Sequence, residues 1–105
     1  MKMAWLYITA GTYDEVRTIG RTLVEERLAA CVNILGPIDS IFWWESEVKS
    51  ESEVAFIVKT RTALVEEIVA RITELHSYQC PFVISLPIET GISDYLDWIK
   101  AETKS

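Results

Sequence analysis

The side chains equipped for metal or nucleophile chemistry are few: the only histidine, His76, and the two cysteines, Cys31 and Cys80. An imidazole nitrogen suits Cu(II) or Zn(II). His76 stands where an amphipathic helix should end, so it also suits the plainer role of a histidine beside the helix dipole and the last carbonyls. Cys31 is either a soft metal ligand or a small buried thiol. Cys80, directly before Pro81, is the weaker candidate. A thiol–imidazole nucleophile needs His76 beside one of the cysteines, which sequence separation leaves open. Glu53 and Lys59 fall on one face of a predicted strand with backbones about 20 Å apart, too far to pair along the strand. They either line opposite parts of a groove between subunits or pair with other neighbours. Tyr78 and Trp44 are groove walls or ordinary packing. The chain carries no HExxH, GxSxG, Walker or GxGxxG pattern, and it is not expected to be an enzyme.

The elements that must hold these residues follow from hydropathy periods. Ala4 to Ala10 is an apolar run buried on both faces, the first strand. Thr12 and Glu15 form a capping box, and Val16, Ile19, Leu23, Val24 and Leu28 share a face of the helix it opens. Alternation then places Ala30, Val32 and Ile34 on one strand face and Cys31 and Asn33 on the other. Gly36-Pro37 bends this strand, which resumes through Ile41-Phe42-Trp43-Trp44. The charged stretch Glu45 to Glu53 reads as an exposed hairpin tip, and Glu53 to Thr60 as the returning strand. Thr62 caps a second helix with an apolar stripe from Leu64 to Leu75. Pro81 to Ile88 is the last strand, and Ser93 caps a terminal helix carrying Tyr95, Leu96, Trp98 and Ile99. His76 to Gly91, spanning helix end, turn and last strand, is the stretch on which the rest turns.

The order β-α-β-β-α-β plus a terminal helix is the ferredoxin-like, split βαβ pattern: an α+β fold with an antiparallel sheet, helices on one face and a long β2–β3 hairpin arm. Proline in a sheet belongs at edges, strand starts or bulges. Pro37, Pro81 and Pro87 fall only on the second and last strands, the two edges in this topology. Residues 1–105 make one domain. The arm carries aromatics on both faces, and an isolated two-stranded ribbon cannot bury both, so Trp43 and Trp44 are expected at an oligomer interface.

The net charge is −6, with no basic cluster, which argues against a nucleic-acid partner. No segment approaches the ~18 apolar residues of a membrane span. Two cysteines without CxxC spacing read as reduced thiols, and the expected compartment is the cytoplasm.

Taken in order, Leu28-Ala29-Ala30-Cys31-Val32-Asn33, Phe42-Trp43-Trp44, Glu53 with Lys59-Thr60, His76-x-Tyr78-x-x-Pro81 and Asp94-Tyr95-Leu96-x-Trp98-Ile99 resemble the CutA divalent-cation tolerance family. The resemblance covers nearly the whole chain. It implies a tight homotrimer of PII-like architecture and a link to tolerance of copper and other divalent ions, with no obligatory cofactor beyond a possible Cu or Zn ion. In such a trimer Trp44, Glu53, Lys59 and Tyr78 are expected in inter-subunit clefts, and His76, Cys31 and surface or cleft carboxylates are the residues expected to bind divalent cations weakly. The alternative is a PII-like signalling or interaction module whose clefts bind a small ligand or a protein. Three departures matter. Ser46 replaces the family's hairpin glycine, which should alter that turn. Ser77 replaces a proline, which should loosen the backbone near His76. Ile8 stands where some relatives have a cysteine, so no metal site here relies on that thiol.

Overall fold

The computed structural model describes residues 2–105. The elements run β1 (Met3–Ala10), α1 (Tyr13–Glu25), β2 (Cys31–Trp44), β3 (Glu47–Arg61), α2 (Val65–Leu75), β4 (Phe82–Ile88) and α3 (Ser93–Glu102), with a 3-10 turn at Thr62–Leu64 before α2. The strands form one sheet in the order β2-β3-β1-β4, antiparallel throughout. This is the expected topology, with β2 and β4 at the edges; Pro37 and Pro87 lie in them, while Pro81, expected to begin the last strand, falls just before it because β4 starts at Phe82.

Leu6 and Ile8 of β1 and Val54, Phe56 and Val58 of β3 point to one face, where they bury against Val16, Ile19 and Leu23 of α1 and Ile68 and Ile72 of α2. Helix α1 opens on Thr12, whose hydroxyl accepts the Glu15 N–H at 3.2 Å. It closes with Arg27 in the left-handed region at φ 62°. There the Leu28 N–H bonds back to the Leu23 carbonyl and the Arg27 N–H to that of Val24, a Schellman closure that turns the chain into β2.

Several local expectations are corrected. Thr62 starts the 3-10 turn, with no side-chain cap on either that turn or α2. Ser93 begins α3 without capping it. The charged stretch from Glu45 is not a long tip: the turn is only Glu45-Ser46, at φ 50° and 67°, and Glu47 to Glu53 is already strand. Primed hairpin turns require such positive φ values because they match the right-handed strand twist. Charge made this segment look like loop, whereas its backbone is fully paired to β2 from Trp44↔Glu47 onward.

Strand β1 covers β3 only from Val54 to Arg61, so the β2–β3 hairpin beyond it projects as a two-stranded arm, and the molecule measures 44 × 25 × 22 Å. The bend at Gly36-Pro37 is a β-bulge: the register slips between Ile34 and Gly36, and Gly36 sits at φ 115°, where a side chain is strained. The slip changes which residues share a face. Below it, Cys31 and Asn33 lie on the side opposite the core; above it, Ile38, Ser40, Phe42 and Trp44 take that side, opposite Glu53, Glu51, Lys49 and Glu47. On the same second face α3 crosses the base of the sheet. Arg61 donates through Nε to Thr103 Oγ1 at 3.0 Å, and Lys59 Nζ lies 5.4 Å from the Tyr95 ring centroid.

Candidate functional site

Where the arm leaves the sheet, the segment after α2 folds back toward it. The Tyr78 and Phe82 rings meet edge to face at 5.4 Å, and Phe82 meets Phe42 of the arm in the same way at 5.7 Å. These rings and Trp44 wall a cavity of about 490 Å³ that also meets Lys49, Glu51, Glu53 and Cys80. Its size is in the range of small-molecule sites.

Glu53 is the central polar group. It is only 3% exposed, and its Oε2 accepts the Tyr78 hydroxyl at 2.8 Å. Burial, the bond to Glu53, and the charges of Glu53, Glu15 and Glu51 all push the Tyr78 phenol well above its ordinary value of 10.0. The tyrosine therefore stays protonated and donates. Lys49 donates to Glu47 at 3.1 Å, so its charge is largely offset and the carboxylates set the sign of the cavity.

Behind this wall sits His76, which caps α2 and contacts the Tyr78 ring at 4.4 Å. Its side chain is 0% exposed. Nδ1 accepts the Tyr78 N–H at 3.1 Å. Nε2 lies 2.7 Å from the Thr9 carbonyl, and a carbonyl can only accept, so the proton of the neutral ring resides on Nε2. Both nitrogens are thus engaged within the chain. The expected loosening at Ser77 is overturned: its N–H and hydroxyl donate to the two Glu15 oxygens at 2.7 and 3.0 Å. Glu15 was expected to complete the capping box; its carboxylate anchors the loop instead, and a proline at this position would lack the N–H.

Of the expected site residues, Trp44, Glu53 and Tyr78 converge on one cavity, with His76 buttressing Tyr78. Lys59 lies elsewhere in the chain, over Tyr95, in register with Cys31 and Trp5. The Cys31 row is four residues along β3 from the Ala55–Thr9 row beside His76, about 13 Å of strand, and Cys31 Sγ turns to Asn33 Oδ1 at 3.7 Å. One chain does not bring His76 and Cys31 together. Among the described residues no group of three or more His, Cys, Asp or Glu is placed to hold a metal ion. Phe42, Phe82 and Glu51 were missed by sequence reasoning. Period-two spacing from Trp44 and Glu53 would have found Phe42 and Glu51; Phe82 is brought in by the fold-back of the loop.

The pattern of the CutA1 divalent ion tolerance protein family matches residues 4–102. The chain belongs to this family. A divalent-cation tolerance protein CutA of Archaeoglobus fulgidus is 44% identical over 95 residues, covering 90% of this chain and 92% of that one. The solved structure described as the periplasmic divalent cation tolerance protein CutA from Archaeoglobus fulgidus superposes with a TM-score of 0.94 at 41% identity, covering 97% of this chain and 99% of that one. A CutA of Arabidopsis thaliana described as chloroplastic is 39% identical over 95% of this chain, which spans 55% of its length. CutA proteins are thus described from more than one compartment, and the cytoplasmic expectation does not follow from membership. No helix among the described residues is long and apolar enough to cross a membrane.

Proposed function

We propose that this chain acts in divalent-cation tolerance as a homotrimer, with the Trp44–Tyr78–Glu53 cavity of each copy as its ligand-binding site. The observation that carries the reading is the two-faced arm. One face walls the cavity around a buried carboxylate. The other leaves Ile41, Trp43 and Val48 at 75%, 73% and 58% exposure, an apolar surface that a two-stranded ribbon cannot cover alone. A second copy is the economical cover, since closed symmetry satisfies every copy at once; the count of three rests on the family resemblance.

Copper or zinc enters this reading as cargo rather than as a structural ion. A metal on His76 would have to displace the Tyr78 N–H from Nδ1, and a complete ligand set would have to be assembled across subunits. The expectation is weak, exchangeable binding. Native mass spectrometry during Cu(II) and Zn(II) titration tests both parts. A trimer that loads only loosely held ions supports the proposal. A trimer that holds a whole number of ions per chain tightly, and loses them with His76→Ala while staying folded, replaces the cavity by a metal centre. A monomer at all concentrations removes the assembly.

A further inference from the structure

We infer that the arm cavity is built for a small organic cation, an alkylammonium group on a compact apolar body. This rests on the cavity being the binding site, as proposed above. The Glu53 carboxylate is nearly buried, yet only Oε2 has a hydrogen-bond partner among the described residues, the Tyr78 hydroxyl. Glu53 is also absent from the side chains with fully buried unpartnered atoms, so Oε1 opens on the cavity it lines. A buried carboxylate with a free oxygen is costly unless a cation or donor completes it.

The surroundings select the kind of cation. Trp44, Phe42, Tyr78 and Phe82 present aromatic rings, whose faces attract a diffuse positive charge. The Tyr78 hydroxyl is already committed to Glu53, and Lys49 is paired with Glu47, so that Glu47, Glu51 and Glu53 outweigh the one lysine and the charge around the cavity, where Gln79 is the neutral polar group, is net negative. Glu51 adds a second negative charge at the rim. A bare divalent ion is the poorer match, because it needs several hard or nitrogen ligands at close range, and among the described residues no three His, Cys, Asp or Glu side chains converge to hold one. A quaternary alkylammonium ion spreads its charge over methyl groups and is weakly hydrated, so it loses little on entry and is attracted by both the ring faces and the free carboxylate oxygen.

The test uses the intact oligomer and tetramethylammonium chloride as probe, with sodium chloride at equal ionic strength and neutral tert-butyl alcohol as controls. The readout is the Trp44 indole N–H resonance, assigned with Trp44→Phe. The expected result is a saturable shift with tetramethylammonium, binding at least about tenfold weaker for the neutral analogue, and a loss of about tenfold in Glu53→Gln. Glutamine keeps an acceptor for Tyr78, so the fold should persist; Phe82→Leu is the second variant, expected to weaken the cation without touching the charge. Equal binding of the neutral analogue, or unchanged affinity in both variants, overturns the cation assignment while the cavity stands as a site. Displacement of the probe by Zn(II) at lower concentration than by any ammonium ion overturns it in favour of the metal. No saturable shift with any probe overturns the inference and the cavity reading together.

Discussion

At the scale of single residues, the bond between Tyr78 and Glu53 has a consequence that titration can read. The folded state raises the phenol's pKa above 10.0. A raised pKa means the stabilising effect is fully present below the unfolded value and is lost as pH rises above it, because the unfolded chain then releases a proton the folded chain retains. Thermal stability should therefore fall more steeply above pH 10.0 in the native chain than in Tyr78→Phe. Parallel curves would mean the bond to Glu53 does not hold in solution. His76 makes a different prediction. Replacing it by alanine strands the buried Thr9 carbonyl and the part-buried Tyr78 N–H, at a cost of about 1–3 kcal/mol for the buried group and less for the other, which water can reach. Denaturant unfolding of His76→Ala should show that loss even without metal, so reduced metal uptake in this variant is informative only beside its stability. The residue types at the site were legible before the fold was known: His76, Tyr78, Glu53 and Trp44 all stood out. Their roles were not, because an acceptor such as Thr9 O is a backbone atom brought near by the sheet, and no side-chain pattern records it.

At the scale of elements, the hairpin shows where reading by composition fails. The stretch after Trp44 is charged, and charge reads as loop, but a strand needs only backbone partners and one tolerable face. The bulge was half legible: Gly36-Pro37 marked a bend on an edge strand, but not that the bend shifts the alternation. That shift sends Phe42 and Trp44 to the cavity and Trp43 to the outside. Gly36→Ala is thus expected to act on two levels. At φ 115° a side chain is strained, and the added Cβ would lie 3.3 Å from the Tyr13 hydroxyl; a cost of about 1–3 kcal/mol follows. The cavity should loosen as well, read as a changed Trp44 environment in fluorescence or NMR. The turn offers the opposite experiment. Ser46 holds φ 67°, a left-handed conformation that costs a side chain about 1–2 kcal/mol. Ser46→Gly removes that penalty, offset in part by the greater freedom of an unfolded glycine. A net gain in unfolding temperature is expected, and a loss would mean the turn is held in another geometry.

At the scale of the whole molecule, the sheet order followed from the element pattern and the placement of the prolines, because within a sheet a missing backbone donor is tolerated at edges, strand starts and bulges and not inside a central strand. Pro37 lies in β2 and Pro87 in β4, as that argument requires. The same reasoning reaches past the single chain. Ile41, Trp43 and Val48 lie on the outer face of the arm, exposed among the described residues, and on the second face of the sheet Ile84 is 60% exposed opposite Tyr7. Burying one indole removes on the order of 150–250 Å² of surface from water, worth about 4–6 kcal/mol at about 25 cal/mol per Å² as an upper bound. If copies of the chain supply that cover, association and folding are linked, and unfolding should shift to higher temperature as protein concentration rises. Trp43→Ser combined with Ile41→Ser, which leaves the internal core of each copy untouched, should weaken assembly and flatten that concentration dependence. Trp44→Phe is the control on the inner face, expected to leave the assembly mass unchanged. Sedimentation of both variants over a dilution series separates the faces. Loss of assembly in the outer-face variant alone supports the two-faced arm, whereas unchanged mass in both would place the subunit contacts on the Ile84 face of the sheet.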